Sequence, residues 1–335
     1  MNPKELKEVI KIHFEKKIPL LIFGHPGIGK SQITRETARE LNVQFIDIRL
    51  SLLDPTDLRG FPYIDKERNI TRWAIPEFLP NDDANGGGIL MLDEINLAPP
   101  AVQNASYQLI LDRQLGEYKL PKSWSIVAAG NILLKEGYIT QIRSALISRF
   151  SVVELDTPSA SDWIKDYAIP RGIDTRIIAY LYVRPDAIYI EPLDKNKNFP
   201  NPRNWENLSW LIKGVSEDDP VFRQLLISRL GPGIASEFHT FTKINISYED
   251  WLDENRNPVL PIELDRKCFL LSALGSVKER VKGLCRLIIA LQKAQDLELA
   301  ALGVHILHRL LPENEIMKLD YWKEIAKVFG KQFIL

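Results

Sequence analysis

Short apolar runs alternate with stretches of helical spacing through the first half of the chain. Runs of strand length predict five strands, at residues 18–23, 43–50, 88–94, 125–131 and 151–155. Apolar positions recur at helical spacing in residues 31–41 and 99–113. Strands that alternate with helices in this way predict a parallel sheet with helices on both faces, which is an α/β fold.

The second half has a helical pattern almost throughout. Residues 162–183 and 202–213 are predicted as helices of a small helical domain, and residues 263–312 as two or three amphipathic helices. The last group is expected to share one apolar stripe, formed by Leu270, Leu271, Leu274, Val277, Val281, Leu284 and Ile288. Glycine and proline predict a loop at residues 231–233. The predicted domains are 1–157, 158–232 and 233–335.

Residues 54–80 interrupt the alternation of strands and helices. Prolines and glycines break the segment, and Phe61, Tyr63, Ile70 and Trp73 are interleaved with polar residues. This pattern predicts an inserted β-hairpin with an aromatic face. A long insertion inside a compact domain usually has a function, so we expect one here.

Composition narrows the classes of partner. The 335 residues carry a net charge of −1, so no global field attracts the chain to nucleic acid or to acidic lipid. A local basic patch is compatible with this balance. No apolar run approaches about 18 residues, so we expect no membrane span. Residues 1–17 are charged and helical in pattern, unlike a leader peptide, and a cytoplasmic location is expected.

The cysteines and two of the histidines give weak signals. Cys268 and Cys285 lack metal-ligand spacing, and we expect buried free thiols in a reducing compartment. His305 and His308 stand at i, i+3 in a helical stretch, as a metal pair would. No third ligand lies nearby in the sequence, so ordinary helix histidines are the favoured interpretation.

Residues 24–31 read GHPGIGKS and fit the phosphate-binding pattern G-x-x-x-x-G-K-[ST]. A predicted strand precedes them and a predicted helix follows, as that pattern requires. Glycines let the backbone N–H groups turn toward phosphate oxygens, the lysine reaches the β- and γ-phosphates, and the serine hydroxyl ligates Mg²⁺. The predicted nucleotide-binding residues are Gly24, His25, Pro26, Gly27, Ile28, Gly29, Lys30, Ser31 and Gln32.

Polar residues follow two later strands. Asp93 and Glu94 end the apolar run 89–92, where Asp93 is expected to hold Mg²⁺ together with Ser31, and Glu94 to polarise the attacking water. Asn131 ends the run 125–130 and is a candidate for orienting that water or contacting the γ-phosphate. An ordinary turn residue is the alternative for Asn131. Ligands in parallel sheets bind at the carboxyl ends of the strands, where all three residues are expected.

Two arginines follow Asn131 along the chain. Arg143 and Arg149 are candidates for stabilising charge on the γ-phosphate in the transition state. Solvated surface arginines are the alternative. Since the two are six residues apart, they do not share one helical face and each is judged alone.

In this order, the motifs resemble the core of an AAA+ ATPase. The motifs are residues 24–31, 90–94, 130–131 and 148–150. Asp57-Leu58-Arg59-Gly60, Leu92-Asp93-Glu94-Ile95-Asn96, Ala98-Pro99 and Val102-Gln103 are similar to the MoxR branch and, within it, to CbbQ/NorQ-type members. The similarity covers about residues 15–215. It implies an AAA+ core at 1–157, a helical lid at 158–232 and a helical C-terminal extension at 233–335.

The resemblance also implies roles for single residues. Asn131 would be the sensor 1 residue and Arg149 the arginine finger, with Arg143 as a second candidate. Arg203 would be the sensor 2 residue. The residues around Arg203 depart from the family pattern, because asparagine precedes Pro202 and Asn204-Trp205 follows the arginine.

The resemblance further implies an assembly and its partners. ATP and Mg²⁺ would be bound between subunits of a homo-oligomeric ring, a hexamer, that remodels a client protein together with a protein carrying a von Willebrand factor A (VWA) domain. Phe61, Tyr63 and Tyr118 are candidate partner contacts, with hairpin packing as the alternative. A nucleic-acid-directed motor is a second hypothesis, which the near-neutral charge disfavours. A third is an ATP-gated scaffold with little turnover, which Glu94 disfavours.

Overall fold

The computed structural model describes residues 1–81, 87–132, 144–191, 197–244 and 247–329. The chain divides into two compact units, Met1–Thr157 and Pro158–Leu335. The first unit contains every β-strand of the described residues, and the second is helical.

The first unit is built around a parallel sheet. Its strands are β1 (Leu20–Gly24), β2 (Gln44–Arg49), β3 (Phe61–Asp65), β4 (Ile70–Ala74), β5 (Gly88–Asp93), β6 (Gln114–Leu115), β7 (Tyr118–Lys119), β8 (Ser125–Asn131) and β9 (Ser151–Glu154). Five of them pair in parallel in the order β2-β5-β8-β1-β9, which confirms the predicted five-stranded parallel sheet. The register aligns Gly24 with Asn131, and Arg49 with Asp93. The carboxyl ends of the central strands therefore meet at one edge.

Helices cover this sheet. They are α1 (Pro3–Lys16), α2 (Lys30–Glu40), α3 (Pro55–Arg59), α4 (Pro100–Asp112) and α5 (Ser144–Ile147). Leu90 and Leu92 of β5 share a core with Val102 of α4, whereas the alternate residues Ile89 and Met91 point to the other face and are also fully buried. Burial on both faces explains why the central strands are continuous apolar runs.

The predicted inserted hairpin is formed by β3 and β4. It follows Gly60, whose φ of 89° lies in the left-handed region. A Cβ atom at this position would lie 1.9 Å from the carbonyl oxygen of Ala74, so glycine is required where the chain enters the hairpin. Phe61 is 64% exposed and Tyr63 is also exposed, as an aromatic surface requires.

Tyr118 corrects one expectation about partner contacts. It is buried, and its hydroxyl donates a hydrogen bond of 2.7 Å to the carbonyl oxygen of Pro80. A buried tyrosine that packs its own chain does not offer a surface to a partner. The packing alternative therefore describes Tyr118, while Phe61 and Tyr63 stay candidate contacts.

The second unit has a single hydrophobic core that includes residues from Ala160 to Phe329. Its helices are α6 (Ala160–Trp163), α7 (Thr175–Val183), α8 (Pro202–Leu211), α9 (Pro220–Thr242), α10 (Glu249–Leu252), α11 (Leu264–Leu274), α12 (Val281–Lys293), α13 (Leu297–Leu310), α14 (Glu313–Ile316) and α15 (Trp322–Phe329). Residues 263–312 are predicted to form two or three amphipathic helices, and the structure has three there, α11, α12 and α13.

Two details of the predicted helices are wrong, and a third is confirmed in part. Residues 162–183 are not one helix, because a π-helical turn at Ile164–Ala168 and a loop separate α6 from α7. The break predicted at 231–233 is present as a kink between two arms of α9, but only Gly231 leaves helical geometry, with φ 74° and ψ 166°. Pro232 opens the second arm of α9, a position that tolerates proline because no N–H donor is needed there. Val277 is 40% exposed and does not belong to the buried stripe.

The part of the chain that the structure describes contains no helix with enough length and apolar character to cross a bilayer. The same part contains no group of three or more histidine, cysteine or acidic side chains arranged to hold a metal ion. The ring of His308 packs edge-on against Trp322. These contacts agree with ordinary helix histidines.

The two cysteines provide a test of the core of the second unit. Both are buried free thiols, as predicted, and burial raises the pKa of Cys285 to about 12 and the pKa of Cys268 as well. We expect Ellman's reagent at pH 8 to react with neither thiol in the native chain, because the reactive thiolate is absent and access is blocked. Both should react after denaturation in guanidinium. Rapid stoichiometric labelling of the native chain would contradict this packing.

Candidate functional site

The loop between β1 and α2 has the geometry of a phosphate cradle. Gly27 and Gly29 have φ values of 81° and 103°, which favour glycine. Gly29 is the N-cap of α2 and has no side chain to cap it, so the first N–H groups of the helix face the loop. A Cβ atom on Gly24 would lie 2.9 Å from the carbonyl oxygen of Leu155. The site thus offers backbone donors and a positive helix end to an anion.

Lys30 ties the loop to the central sheet. Its ammonium donates hydrogen bonds to the carbonyl oxygens of Gly24 (2.8 Å) and His25 (2.9 Å) and to Oδ1 of Asn131 (2.8 Å). The residue is only 7% exposed. These three acceptors are neutral oxygens, and a phosphate nearby would stabilise the buried ammonium further, so the residues present fit a nucleotide phosphate.

The remaining residues of the predicted nucleotide loop lie around this cradle. Ile28 is buried, with its Cδ1 2.8 Å from where a Cβ on Gly24 would stand. Pro26 is exposed at the turn. Gln32 donates its side-chain amide to Glu36 at 3.0 Å, one turn along α2. The side chain of Gln32 is therefore hydrogen-bonded within its own helix, and the backbone N–H of Gln32 is the group available to the cradle.

Ser31 and Asp93 form the predicted metal-binding pair. The Ser31 hydroxyl donates to Oδ2 of Asp93 at 2.5 Å, although the two residues come from α2 and β5. Hydroxyl and carboxylate oxygens are ligands suited to Mg²⁺, which also uses water and substrate phosphates. The donor set fits this ion.

Negative charge is concentrated beside Asp93. Burial, and after it the charge of Asp93, raises the pKa of Asp47 on the neighbouring strand β2. Arg35 of α2 pairs with Asp47 at 3.1 Å and offsets part of this effect. A divalent cation next to Asp93 would relieve the same repulsion.

Glu94 is held by its backbone and by a serine. Its φ of 58° is uncommon for a residue with a Cβ atom, and its N–H donates to Oδ1 of Asp93 at 2.8 Å. Its carboxylate accepts a hydrogen bond from the hydroxyl of Ser51. Ser51 lies two residues beyond β2, which pairs with β5, and sequence reasoning missed it. A polar residue just after the strand beside an acidic strand end is the signal that points to it.

Asn131 is positioned by Asn96. The side-chain amide of Asn96 donates to the carbonyl oxygen of Asn131 at 2.8 Å, and its Oδ1 accepts the N–H of Asn131 at 3.1 Å. This paired contact fixes the backbone of Asn131 and leaves its side chain to meet Lys30. Asn96 is buried, and its role in positioning Asn131 was not predicted from the sequence.

The three candidate arginines are placed differently. Arg149 is exposed in the turn before β9, and Arg203 is exposed in the first turn of α8, in the second unit. Arg143 lies outside the described residues. The structure therefore brings together Lys30, Ser31, Asp93, Glu94 and Asn131, and the roles of the arginines stay predictions.

Residues 19–152 match the family described as "ATPase family associated with various cellular activities (AAA)". The matched segment includes the phosphate-binding loop at residues 24–31 (the P-loop), the acidic strand end and Asn131, and it stops before the helical unit. Together with the geometry, this match supports ATPase chemistry of the AAA type for the first unit.

Several solved structures resemble the chain weakly. NtrX from Brucella abortus in complex with ATP is 19% identical, with 92% of this chain and 67% of that chain covered and a TM-score of 0.40. A mutant of RuvB from Thermotoga maritima is 15% identical, with 98% of this chain and 87% of that chain covered and a TM-score of 0.42. These low scores carry no argument about function.

The contact between Ser51 and Glu94 predicts a change in turnover. Glu94 is predicted to polarise the attacking water, and Ser51→Ala removes the hydrogen bond that occupies its carboxylate. We expect the rate of ATP hydrolysis at saturation to rise by about tenfold or more, since hydrogen bonds to charged groups contribute about 1.5–3 kcal/mol. ATP affinity should stay within about twofold, because the hydrogen bond that Ser51 donates goes to Glu94 and not to the phosphate-binding loop.

Ser51→Thr is the matched control, since it keeps the hydroxyl and should retain the parent rate. Steady-state kinetics and ATP titration separate the two effects. An unchanged rate for Ser51→Ala would show that the contact does not restrain Glu94.

Proposed function

We propose that this chain is a Mg²⁺-dependent ATPase of the AAA+ MoxR type that assembles into a hexameric ring in the cytoplasm and remodels a client protein together with a VWA-domain partner. The observation that carries the ATPase part is the convergence of Lys30, Ser31, Asp93, Glu94 and Asn131 at one edge of the sheet. No single motif would support the proposal as well as this shared position.

The contacts of these residues support the following roles. The N–H groups of the P-loop and the ammonium of Lys30 bind the β- and γ-phosphates, and Lys30 exchanges its carbonyl partners for phosphate oxygens. Ser31 and Asp93 would hold Mg²⁺, which would supply positive charge next to the phosphate oxygens. Glu94 accepts the proton of the attacking water, and Asn131 orients that water from the position that Asn96 fixes.

Ring assembly would complete the site. Arg149 is exposed, which is what a residue that acts on a neighbouring subunit needs. In this proposal Arg149 is the finger delivered in trans, with Arg143 as a second candidate, and Arg203 contacts the nucleotide as sensor 2. Hydrolysis would then depend on assembly.

The exposed hairpin supports action on a protein. Phe61, Tyr63 and Ile64 present apolar surface to solvent on β3, and large exposed apolar patches mark interaction sites. The net charge of −1 disfavours a track for a polynucleotide, which would need a basic groove. DNA-stimulated ATP hydrolysis would favour the nucleic-acid motor instead.

Substitutions at Lys30 and Glu94 separate binding from chemistry. Lys30→Ala should abolish ATP binding in a titration, because the buried ammonium is the main counter-charge for the phosphates. Glu94→Gln should bind ATP at close to the parent affinity and lose nearly all turnover, since the amide cannot accept a proton. Size-exclusion chromatography with ATP should show a stabilised ring for Glu94→Gln. Parent-like turnover of Glu94→Gln would remove Glu94 from its role.

Mixing experiments test the finger. Arg149→Ala should lower the hydrolysis rate by about 10³–10⁵-fold, by comparison with other arginine fingers, with ATP affinity retained. Mixing it with Glu94→Gln should restore part of the activity, because the Glu94→Gln subunit supplies Arg149 to an intact Glu94. Arg39→Ala, at an exposed arginine of α2, is the matched control and should keep the parent rate. Full activity of Arg149→Ala would contradict the assignment.

A further inference from the structure

The second unit contains a cavity of about 490 Å³ with an unusual charge pattern. Its lining includes four cationic side chains, Arg176, Lys213, Arg280 and Arg309, and two carboxylates, Asp174 and Glu217. Cavities that bind small molecules in proteins are typically of this size, with a few placed polar groups. The cavity lies wholly within the helical unit and shares no residue with the P-loop site.

The two carboxylates are already engaged by one arginine. Arg176 pairs with Asp174 at 2.8 Å and with Glu217 at 3.4 Å. Asp174 is also the N-cap of α7 and accepts the N–H of Arg176 at 2.9 Å. These acids therefore pair directly with Arg176 and cap the helix start. Burial lowers the pKa of Arg309, and the charge of Asp174 offsets part of this effect, but the cavity lining still has more cationic than anionic side chains.

Arg280 and Arg309 both reach the carboxyl end of α11. Arg280 donates to the carbonyl oxygen of Ala273 at 2.8 Å, and Arg309 donates to that of Gly275 at 2.9 Å and to that of Ile173 at 3.3 Å. Because their acceptors are two residues apart, the two guanidinium groups gather at one helix end. Within the described residues neither forms a direct ion pair with a carboxylate, although the charge of Arg280 adds to the hydrogen bonds from the backbone and from Ser247 that lower the pKa of Glu249.

Capping of α11 alone leaves this charge unbalanced. The carboxyl end of a helix carries the equivalent of roughly half a negative charge, whereas the two guanidinium groups bring two positive charges. Burial lowers the pKa of Arg309, which reflects the loss of water around its charge. An anion in the cavity would supply the missing negative charge and accept the N–H donors that the carbonyl oxygens leave unused.

The walls beside the arginines suit an organic anion. The ring of Tyr248 lies 4.3 Å from the Arg280 guanidinium carbon, and its hydroxyl accepts a hydrogen bond from Arg280 at 2.9 Å. Phe269 lines the same cavity. One part of the cavity thus carries guanidinium donors and another carries aromatic surface.

We propose that this cavity binds a small organic phosphate, with Arg280 and Arg309 holding the phosphate group and Tyr248 and Phe269 contacting the organic part. The guanidinium fork matches phosphate oxygens in a bidentate manner, which a lysine would not do. The helical unit then has a ligand site of its own, separate from the nucleotide site of the first unit.

Isothermal titration calorimetry of the full chain with phenyl phosphate tests the proposal, with the P-loop kept saturated by Mg²⁺ and ADP. We expect binding in the millimolar range or tighter, and weaker binding of inorganic phosphate, which lacks the aromatic group. Arg309→Gln and Arg280→Gln should each weaken phenyl phosphate by at least about tenfold, because each removes charge-assisted hydrogen bonds. Arg266→Gln, at an exposed arginine of α11 outside the cavity, should bind like the parent.

Circular dichroism and the melting temperature show whether each variant is folded. Arg309→Lys keeps the positive charge, so it serves as a second variant if Arg309→Gln does not fold. Arg309→Lys should bind more weakly than the parent, because an ammonium cannot reproduce the fork. Absence of binding to the parent chain, or parent-like affinity of folded Arg280→Gln and Arg309→Gln, would overturn the proposal. Loss of binding in Lys30→Ala with retention in both arginine variants would overturn it too, because the probe would then occupy the P-loop.

Discussion

The ammonium of Lys30 connects the parts on which the site depends. It joins the P-loop carbonyls of Gly24 and His25 to Asn131 at the end of the neighbouring strand. These contacts require β1 and β8 to pair in parallel, with Gly24 beside Asn131. These three hydrogen bonds to oxygen atoms compensate the buried charge, and they also fix the shape of the loop that a phosphate would contact.

The acidic half of the site depends on the next pair of strands. Asp93 ends β5, which lies between β2 and β8 in the sheet. Ser31 of α2 donates to Asp93, and Ser51, just beyond β2, donates to Glu94. The two adjacent carboxylates are therefore held by different partners, as the different roles proposed for them require.

The helical unit depends on different interactions from the first unit. Its single core is apolar and aromatic, with Tyr180, Trp205 and Phe238 packed edge to face or tilted. Three of its arginines lie near the ends of α7 and α11, where Arg176 pairs with an acid and Arg280 and Arg309 donate to carbonyl oxygens. The cavity near Arg309 therefore has positively charged walls as well as room for a small molecule.

The amino-acid sequence alone determined the five strands, because strands buried on both faces are continuous apolar runs. It also determined the P-loop and the acidic strand end, since each needs particular residue types at fixed short spacings. It located the break at residues 231–233 but overestimated its length, because only Gly231 leaves helical geometry and Pro232 already opens a second helical arm. Tertiary structure alone decided the partners of the site residues. Ser51 and Asn96 act on Glu94 and Asn131 through strands that are neighbours in the sheet but distant in the chain, and spacing along a sequence does not encode that adjacency. The burial of Tyr118 also depends on tertiary structure, because Tyr118 contacts Pro80, which is too far away in the chain to be part of the same local pattern.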